Sequence, residues 1–385
     1  MRPPLALLQL APVLVVACGA TPAPAPPHEL PPVTTRPEVA VVSTAPHEVD
    51  AGATAPPLPA SSDALVIVPA PPHTFAGAAG NIPGDSGLSG LFAVGDSVFA
   101  SGSGFLLRST DRGLHYARTE IEPRFPVVWA ASEREVFVAG QGGVVRSTDG
   151  GASFAPTGRT PGPSVSGIWG RSAEELYVVG SGGGGPFVGR SVDHGATWTR
   201  LPVPITDGWL HDVGTTDGRD VLVAGTEEGT RATSPGTRES NAVILRSTDA
   251  GAHWKRLPMF SKGGTDHEET RRICFAEGTL FASSAYGLHM TRDLGKTWRV
   301  ATQVGAEVLA LACRGKEVVV GGRNRSLLAS ADGGATWSRN PLGTLFGEPS
   351  LVSVQAAAIS EAGEMYVGFE GLYTDHRGSL FRRSP

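Results

Sequence analysis

Short apolar runs separated by turn residues dominate the chain from about residue 88 onward. Runs of about five residues, rich in Val, Thr and aromatic residues, are bounded by Gly, Ser or Asp, as in Glu135–Gly140 and Gly143–Ser147. This pattern predicts β-strands joined by tight turns. The runs recur in sets of four, labelled strands a to d, so the pattern predicts an all-β chain built of four-stranded units.

A motif of eight residues recurs six times in the turn predicted between strands c and d. It consists of Ser or Thr, any residue, Asp, any residue, Gly, two further residues and an aromatic residue. The motif aspartates are Asp111, Asp149, Asp193, Asp249, Asp293 and Asp332. Their spacings of 38, 44, 56, 44 and 39 residues indicate a unit of about forty residues, which is typical of a four-stranded propeller blade.

The residue types of the motif suit a structural turn. The Asp side chain can accept hydrogen bonds from backbone N–H groups, the hydroxyl can do the same, and Gly can adopt a positive φ. The aromatic residue is predicted to be a large buried anchor. Because one carboxylate per turn cannot converge with the others on a single ion, we interpret the motif aspartates as structural rather than as metal ligands.

The seventh unit is incomplete at the C-terminus. Three runs match its strands a, b and c: Ser353–Ile359, Glu364–Gly368 and Ser379–Ser384. At the other end of the chain, His73–Gly80 matches a lone strand d with Phe75 at the anchor position. We therefore predict a seven-bladed β-propeller with its ring closed by this N-terminal strand, which completes the last blade.

The first 72 residues differ in composition from the predicted propeller, residues 73–385. Residues 1–17 end in an apolar stretch that is too short to span a bilayer but is typical of a signal peptide. The residues around Cys18 resemble a bacterial lipobox, which implies lipidation of Cys18. Neither Gly19 nor Ala20 is acidic, so the resemblance implies no signal for retention at the inner membrane. Residues 18–72 are rich in Pro and Ala and predict a disordered tether. The predicted location is the cell envelope, with the outer membrane favoured; secretion is the alternative.

Composition narrows the classes of partner. The 385 residues include 51 Gly and 31 Pro, 18% are charged, and the net charge is −5. This balance fits an all-β domain with many turns and argues against nucleic-acid binding. We predict a monomer without cofactor or metal that contacts the membrane only through its lipid anchor.

Two cysteines, Cys274 and Cys313, lie one unit apart in strands a of adjacent units. We expect them to be buried separately as small apolar residues. Facing sheets lie about 10 Å apart, whereas a disulfide needs Cα atoms within about 7 Å. A disulfide remains the alternative, since the predicted compartment would permit one.

The long connections are predicted to share one side of the propeller. The b–c and d–a connections open on one side, called the loop face here, and the a–b and c–d turns open on the other, the turn face. The insertions fall in b–c and d–a connections: Gly182–Pro186, Glu227–Asn241, Pro258–Arg272 and Gly343–Ser350. Because loops on a rigid scaffold commonly carry binding sites, the loop face is the predicted binding surface.

Eight residues on this face are candidates for binding: Asp207, Trp209, His211, Asp212, Asp266, His267, Glu268 and Arg271. One hypothesis is a hydrolase, in which Asp212 and Glu268 act as acid and base. A second hypothesis is a metal site, in which the ligands are His211, His267 and neighbouring carboxylates. No tight motif supports either hypothesis, so we predict solvated acidic loops and assign no catalytic or metal-binding residue. Trp209 has the alternative of being a core residue.

The six motif copies resemble the BNR, or Asp-box, repeat family, and the resemblance covers residues 73–385. That family includes sialidases, oligoxyloglucan-type glycoside hydrolases, sortilin-like receptors and photosystem II assembly-factor propellers. The chain has Pro123-Arg124-Phe125-Pro126 but lacks the Arg-Ile-Pro motif of sialidases. Seven units are similar to the assembly-factor type, whose propellers bind protein. The resemblance therefore favours a non-catalytic, membrane-tethered scaffold that binds a protein or glycan. The alternative is an exo-sialidase-like glycoside hydrolase using carboxylates on the loop face.

Overall fold

The computed structural model describes residues 67–68, 76–77, 87–122, 124–234, 237–259, 269–285, 287–302, 307–323, 326–339, 352–371 and 379–383. All of them belong to one compact unit, residues 55–385. The described residues form strands and turns and contain no helix, so the predicted all-β class is confirmed. It follows that this part of the chain has no helix with the length and hydropathy to cross a membrane.

The strands of the described residues fall into seven successive groups, called repeats 1 to 7, preceded by β1 (Ile67–Val68) and β2 (Ala76–Gly77). Repeat 1 comprises β3 (Leu88–Val94), β4 (Ser97–Gly102), β5 (Phe105–Ser109) and β6 (Ala117–Glu120). Repeat 2 comprises β7 (Arg124–Ala130), β8 (Val136–Gln141), β9 (Gly143–Ser147) and β10 (Ala155–Pro156). Repeat 3 comprises β11 (Ser164–Gly170), β12 (Leu176–Gly182), β13 (Gly185–Ser191) and β14 (Thr199–Leu201).

The remaining repeats follow in the same way. Repeat 4 comprises β15 (Gly208–Gly214), β16 (Val221–Ser234), β17 (Thr237–Ser247) and β18 (Lys255–Arg256). Repeat 5 comprises β19 (Ile273–Ala276), β20 (Thr279–Ser284), β21 (Gly287–Thr291) and β22 (Arg299–Thr302). Repeat 6 comprises β23 (Val308–Arg314), β24 (Glu317–Gly322), β25 (Leu327–Ser330) and β26 (Trp337–Arg339). Repeat 7 comprises β27 (Val352–Ile359), β28 (Met365–Gly371) and β29 (Ser379–Arg383).

Successive strands within each repeat pair antiparallel in chain order. Repeats 2 and 3 share one sheet because Ser164 of β11 also pairs with Gln141 of β8. Repeat 6 gains a fifth strand, because β1 runs parallel to β26. Strand β1 falls within the predicted tether, residues 18–72; the rest of that segment lies outside the described residues.

Repeat 7 contributes three strands of its own, and its fourth strand is β2. The sheet order is β2-β29-β28-β27, with Ala76 opposite Arg382 and Gly77 opposite Phe381. Strand β2 lies inside the segment His73–Gly80 that the sequence analysis matched to a lone strand d. The predicted anchor Phe75 lies outside the described residues.

The core consists of seven apolar clusters, each shared by two consecutive repeats. Val, Leu, Ala and aromatic side chains from the facing strands of two sheets interlock in each cluster, which is the standard packing of sheet on sheet. The cluster that joins repeat 7 to repeat 1 contains Leu88 and Phe105 on one side and Ala356, Tyr366 and Leu380 on the other. The described sheets therefore pack in succession, including the last against the first.

The first strands of all seven described repeats line one common cavity of about 380 Å³. Strands β3, β7, β11, β15, β19, β23 and β27 all contribute residues to its wall. These strands converge, so neighbouring first strands lie closer to one another than the outer strands do.

This convergence corrects the expectation for the two cysteines. Cys274 of β19 and Cys313 of β23 form a disulfide, with their Cα atoms 5.7 Å apart. The expected separation of about 10 Å applies to facing sheets away from their point of convergence. At the cavity wall the two first strands are near enough for a bridge.

Candidate functional site

Each repeated Asp motif lies in the turn between the third and fourth strands of its repeat, on the turn face. In repeat 3, the Ser191 hydroxyl donates to Asp193 Oδ1 over 2.7 Å and accepts from the Gly195 N–H over 2.8 Å. The Thr197 N–H donates to Asp193 Oδ1 over 2.8 Å, and its hydroxyl donates to Oδ2 over 2.6 Å. The Asp carboxylate thus closes the turn by accepting local hydrogen bonds.

The same hydroxyl-to-carboxylate bond occurs in the other five motifs. Hydrogen bonds from the Thr197 side chain and backbone lower the pKa of Asp193 to about 2. The backbone and side chain of His253 likewise lower the pKa of Asp249 to about 2. These carboxylates stay ionised and are occupied by the turn itself, which suits a structural role better than proton transfer.

The aromatic residues of the motifs differ from the prediction in burial. Only Trp337 among the six is fully buried, and it packs edge-on against Phe281 of repeat 5. The other five are half-buried: Tyr116, Phe154, Trp198, Trp254 and Trp298. They stand at the start of outer strands, where one neighbouring sheet covers the ring and solvent reaches its other side. Each still packs against the core cluster at its repeat boundary.

The insertion Glu227–Asn241 is a strand extension rather than an irregular loop. Strands β16 and β17 are 14 and 11 residues long, and Glu227 pairs with Asn241 within this hairpin. Arg256 of β18 stabilises the base of the hairpin through a bidentate ion pair with Glu227, at 2.7 and 3.0 Å. The extended pairing gives the loop face a β-hairpin projecting from repeat 4.

Four of the candidate residues lie at or within the first strand of repeat 4. Asp207 and Trp209 are exposed; the Trp209 side chain is 46% exposed although it belongs to β15, so the core alternative for Trp209 is wrong. The pairing of β15 with β16 shifts between Leu210 and Asp212. His211 is therefore the extra residue of a bulge, a feature that the apolar pattern did not reveal.

His211 and Asp212 are held differently from one another. Burial lowers the pKa of His211 to about 4, and its buried Nε2 atom has no hydrogen-bond partner among the described residues. Asp212 lines the central cavity, and its carboxylate accepts the Val213 N–H at 3.0 Å and the Ile273 N–H at 2.9 Å. Burial raises the pKa of Asp212, and the charge of Arg272 opposes that rise. Asp212 thus ties repeat 4 to repeat 5 at the cavity wall.

The candidates between repeats 4 and 5 are only partly described. Asp266, His267 and Glu268 lie outside the described residues. Arg271 forms ion pairs with Glu269 and Glu307, both at 2.8 Å. In the part of the chain that the structure describes, no three His, Cys, Asp or Glu side chains are placed to hold a metal ion.

One cavity on the loop face was not predicted from the sequence. It has a volume of about 1220 Å³ and lies between repeats 2 and 3, beside the Gly182–Pro186 turn. Arg124, Arg159 and Arg200 line it. Arg124 lies in β7, Arg159 lies between β10 and β11, and Arg200 lies in β14. No local pattern of the sequence brings these three residues together.

Comparisons with known proteins agree on the fold. The structure "YCF48 bound to D1 peptide" is similar over 84% of this chain and 100% of that chain, at 16% identity and a TM-score of 0.59. "YCF48 from Cyanidioschyzon merolae" matches over 81% and 99%, at 16% identity and a TM-score of 0.56. U3-55K matches over 81% and 98%, at 10% identity and a TM-score of 0.59. No known family and no curated protein matches the sequence. The likeness shows that the chain has a β-propeller fold.

Proposed function

We propose that this chain is a seven-bladed propeller, held outside the cytoplasm by a lipid on Cys18, that binds a protein or glycan through its loop face as an assembly scaffold. The observation that carries the binding role is the asymmetry between the two faces. A cavity of about 1220 Å³ and the extended hairpin of repeat 4 lie on the loop face. The turn face carries a smaller cavity of about 440 Å³, and its repeated motifs use their Asp carboxylates for hydrogen bonds within their own turns.

Three observations support the seven-bladed ring. The first strands of seven repeats line one cavity, each apolar cluster joins consecutive repeats, and repeat 7 packs against repeat 1. The pairing of β2 with β29 supports closure by the N-terminal strand. In this arrangement the outer edge of the last blade is not left open for aggregation.

The disulfide supports an extracytoplasmic location. A bridge between Cys274 and Cys313 would persist in an oxidising compartment and is uncommon in the cytosol. It agrees with the predicted signal peptide and the lipobox-like residues at the N-terminus.

A protein partner is favoured over a glycan because one structure of the same fold holds a peptide. The loop face offers the surfaces that polypeptide binding requires: a cavity, an exposed tryptophan and a hairpin. The hydrolase alternative lacks comparable support, since both oxygens of the Asp212 carboxylate accept backbone N–H groups.

Site-specific photo-crosslinking in the native cell tests this proposal. A photoreactive residue at Asn241, on the loop-face hairpin, is expected to give a covalent adduct with a partner protein. The matched control is Val192, which is 60% exposed on the turn face and should give none.

Adducts formed only from Val192 would contradict the assigned face. A screen of fluorogenic glycosides with the purified protein tests the enzymatic alternative. Turnover that Asp212→Asn abolishes would replace the scaffold with a glycosidase.

A further inference from the structure

A groove crosses repeats 2, 3 and 4 on the loop face. Its larger part is the cavity of about 1220 Å³ between repeats 2 and 3, and a smaller cavity of about 640 Å³ lies beside repeat 4. Gly182, Gly183 and Gly185, in the turn between β12 and β13, line both parts. The two cavities therefore adjoin at this turn, and together they are called the groove here.

The larger part of the groove carries excess positive charge. Arg124, Arg159 and Arg200 line it with a single acid, Glu122. Arg124 and Arg159 are exposed, and among the described residues neither side chain has an ion-pair partner. This concentration of arginine runs against the net charge of −5 of the whole chain. Guanidinium groups bind carboxylates through paired hydrogen bonds, so the missing counter-charge suits an acidic ligand.

The guanidinium group of Arg200 is held in place by contacts within repeat 3. Its Nη2 donates to the carbonyl oxygens of Gly184 and Pro186, at 2.9 and 3.0 Å. The guanidinium also lies 5.9 Å from the centre of the Phe187 ring. These contacts fix the group beside the glycine turn and leave its charge uncompensated by any acid of the described residues.

The other end of the groove offers an apolar platform. Trp209 lines the smaller cavity and is 46% exposed. Three other large apolar side chains of the described residues are comparably exposed, Leu114, Val192 and Val300, and none of them lines this groove. A tryptophan in a concave site is a common anchor for an apolar side chain of a binding partner.

The turn between β12 and β13, in the middle of the groove, is no barrier between the two cavities, because its glycines have no side chains. Gly185 must be glycine, since its φ is +84° and a Cβ atom would lie 2.7 Å from the Thr206 carbonyl oxygen. Gly183 has neither constraint: its φ is outside the left-handed region, and nothing lies within 4 Å of a Cβ atom built there. The fold would accept alanine at Gly183, but a backbone passing over the turn would meet the added methyl group.

We propose that this groove binds an extended, acidic segment of the partner polypeptide. Its carboxylates pair with Arg124, Arg159 and Arg200, its backbone crosses the turn at Gly183, and an apolar side chain rests on Trp209. This inference rests on the proposed scaffold function and specifies where the partner binds and what its chemistry is.

Fluorescence anisotropy with the full chain tests the assignment. The probe is a labelled ten-residue peptide of alternating Glu and Ser with one Phe, compared with the same peptide carrying Lys for Glu. The acidic peptide should bind, more weakly as salt is raised, and the basic peptide should not. The double variant Arg124→Ala/Arg159→Ala should weaken binding by about tenfold or more.

Gly183→Ala should also weaken binding by about tenfold while leaving the melting temperature unchanged, because the methyl group occupies the path of the ligand and contacts nothing in the fold. Gly214→Ala is the matched control. Gly214 likewise has nothing within 4 Å of a Cβ atom, and it lines the central cavity rather than the groove. This variant should bind like the wild type.

Several outcomes would overturn the groove assignment. They are no binding of the acidic peptide, equal binding of the basic peptide, full affinity in Gly183→Ala, or binding of polygalacturonate without binding of the peptide. Crosslinking from Asn241 tests the loop face independently. Adducts from Asn241 together with unaffected groove variants would leave the scaffold function in place and refute only the groove.

Discussion

At the scale of single residues, the repeated aspartates act by accepting hydrogen bonds within their own turns. Asp193 receives three such bonds from Ser191 and Thr197. The deprotonated carboxylate is the form that these donors stabilise, which is why its pKa falls to about 2.

The lowered pKa of Asp193 predicts acid sensitivity. Its pKa in the unfolded chain is about 3.9, so the carboxylate contributes stability above that pH and loses the contribution as the pH falls toward 2. Asp193→Asn should lower the melting temperature by a few degrees Celsius at pH 7 and reduce the further loss between pH 4 and 2. Thermal melts across this range measure both effects.

Glu277→Gln is the control for that experiment. Glu277 is exposed, and its carboxylate accepts no hydrogen bond from the described residues. An equal shift in Glu277→Gln and Asp193→Asn would show that lost charge, not the lost turn bonds, is responsible.

The protonation of His211 should make the stability of the fold depend on pH in a second range. Burial lowers the pKa of His211 to about 4, below the value of about 6.5 in an unfolded chain. The unfolded state binds the additional proton, so stability should fall as the pH drops from 6.5 toward 4. His211→Leu should lessen this fall without the same change below pH 4, as measured by thermal melts. An unchanged slope between pH 6.5 and 4 would contradict the burial of this imidazole in its neutral form.

At the scale of elements, the first strands determine how neighbouring repeats are tied together. They converge on the central cavity, where Asp212 reaches the Ile273 N–H and Cys274 reaches Cys313. Neither contact depends on the periodic motif. Both follow from the close approach of first strands that belong to different repeats.

The disulfide closes a segment of 39 residues, and it should contribute about 4 kcal/mol to the free energy of unfolding. Cys274→Ser/Cys313→Ser should lower the urea midpoint accordingly. Thiol titration of the unfolded wild type should find these two cysteines unreactive until a reductant is added. If the variant and the wild type unfold at the same urea concentration, the bridge does not form in solution.

Loss of the N-terminal strand β2 should also lower the stability of the fold strongly. Deletion of residues 73–80 removes β2 and leaves the edge of β29 unpaired, so we expect a melting temperature lower by about 10 °C or more and increased aggregation. Deletion of residues 21–60, within the predicted tether, is the control and should leave the melting temperature unchanged. Closure by this strand would be refuted by a normal melt of the first variant.

At the scale of the whole molecule, the two faces differ in structure. The turn face is occupied by motifs that satisfy their own polar groups, whereas the loop face carries the groove, the exposed Trp209 and the hairpin of repeat 4. A tethered ring would present this face to partners at the envelope.

The tether itself gives a prediction at this scale. Cys18→Ala should move the protein from the membrane fraction to the soluble extracytoplasmic fraction, because a lipid is the proposed membrane contact. Fractionation with immunodetection measures the shift. Retention in the membrane fraction would refute the lipid anchor and leave the propeller unaffected.

The sequence by itself was enough to predict the all-β class, the succession of four-stranded repeats and the place of the Asp motifs. These features depend on neighbours along the chain: alternating apolar runs, turn residues and a motif of eight residues. The position of β2 was also suggested by its local match to a strand d.

Only the tertiary structure decided which distant residues meet. The pairing of Cys274 with Cys313 and the gathering of Arg124, Arg159 and Arg200 around one groove have no local signature. They arise because separate sheets converge at the centre and their connections meet on one face. Those distances are set by packing between repeats, which the pattern within any one repeat does not contain.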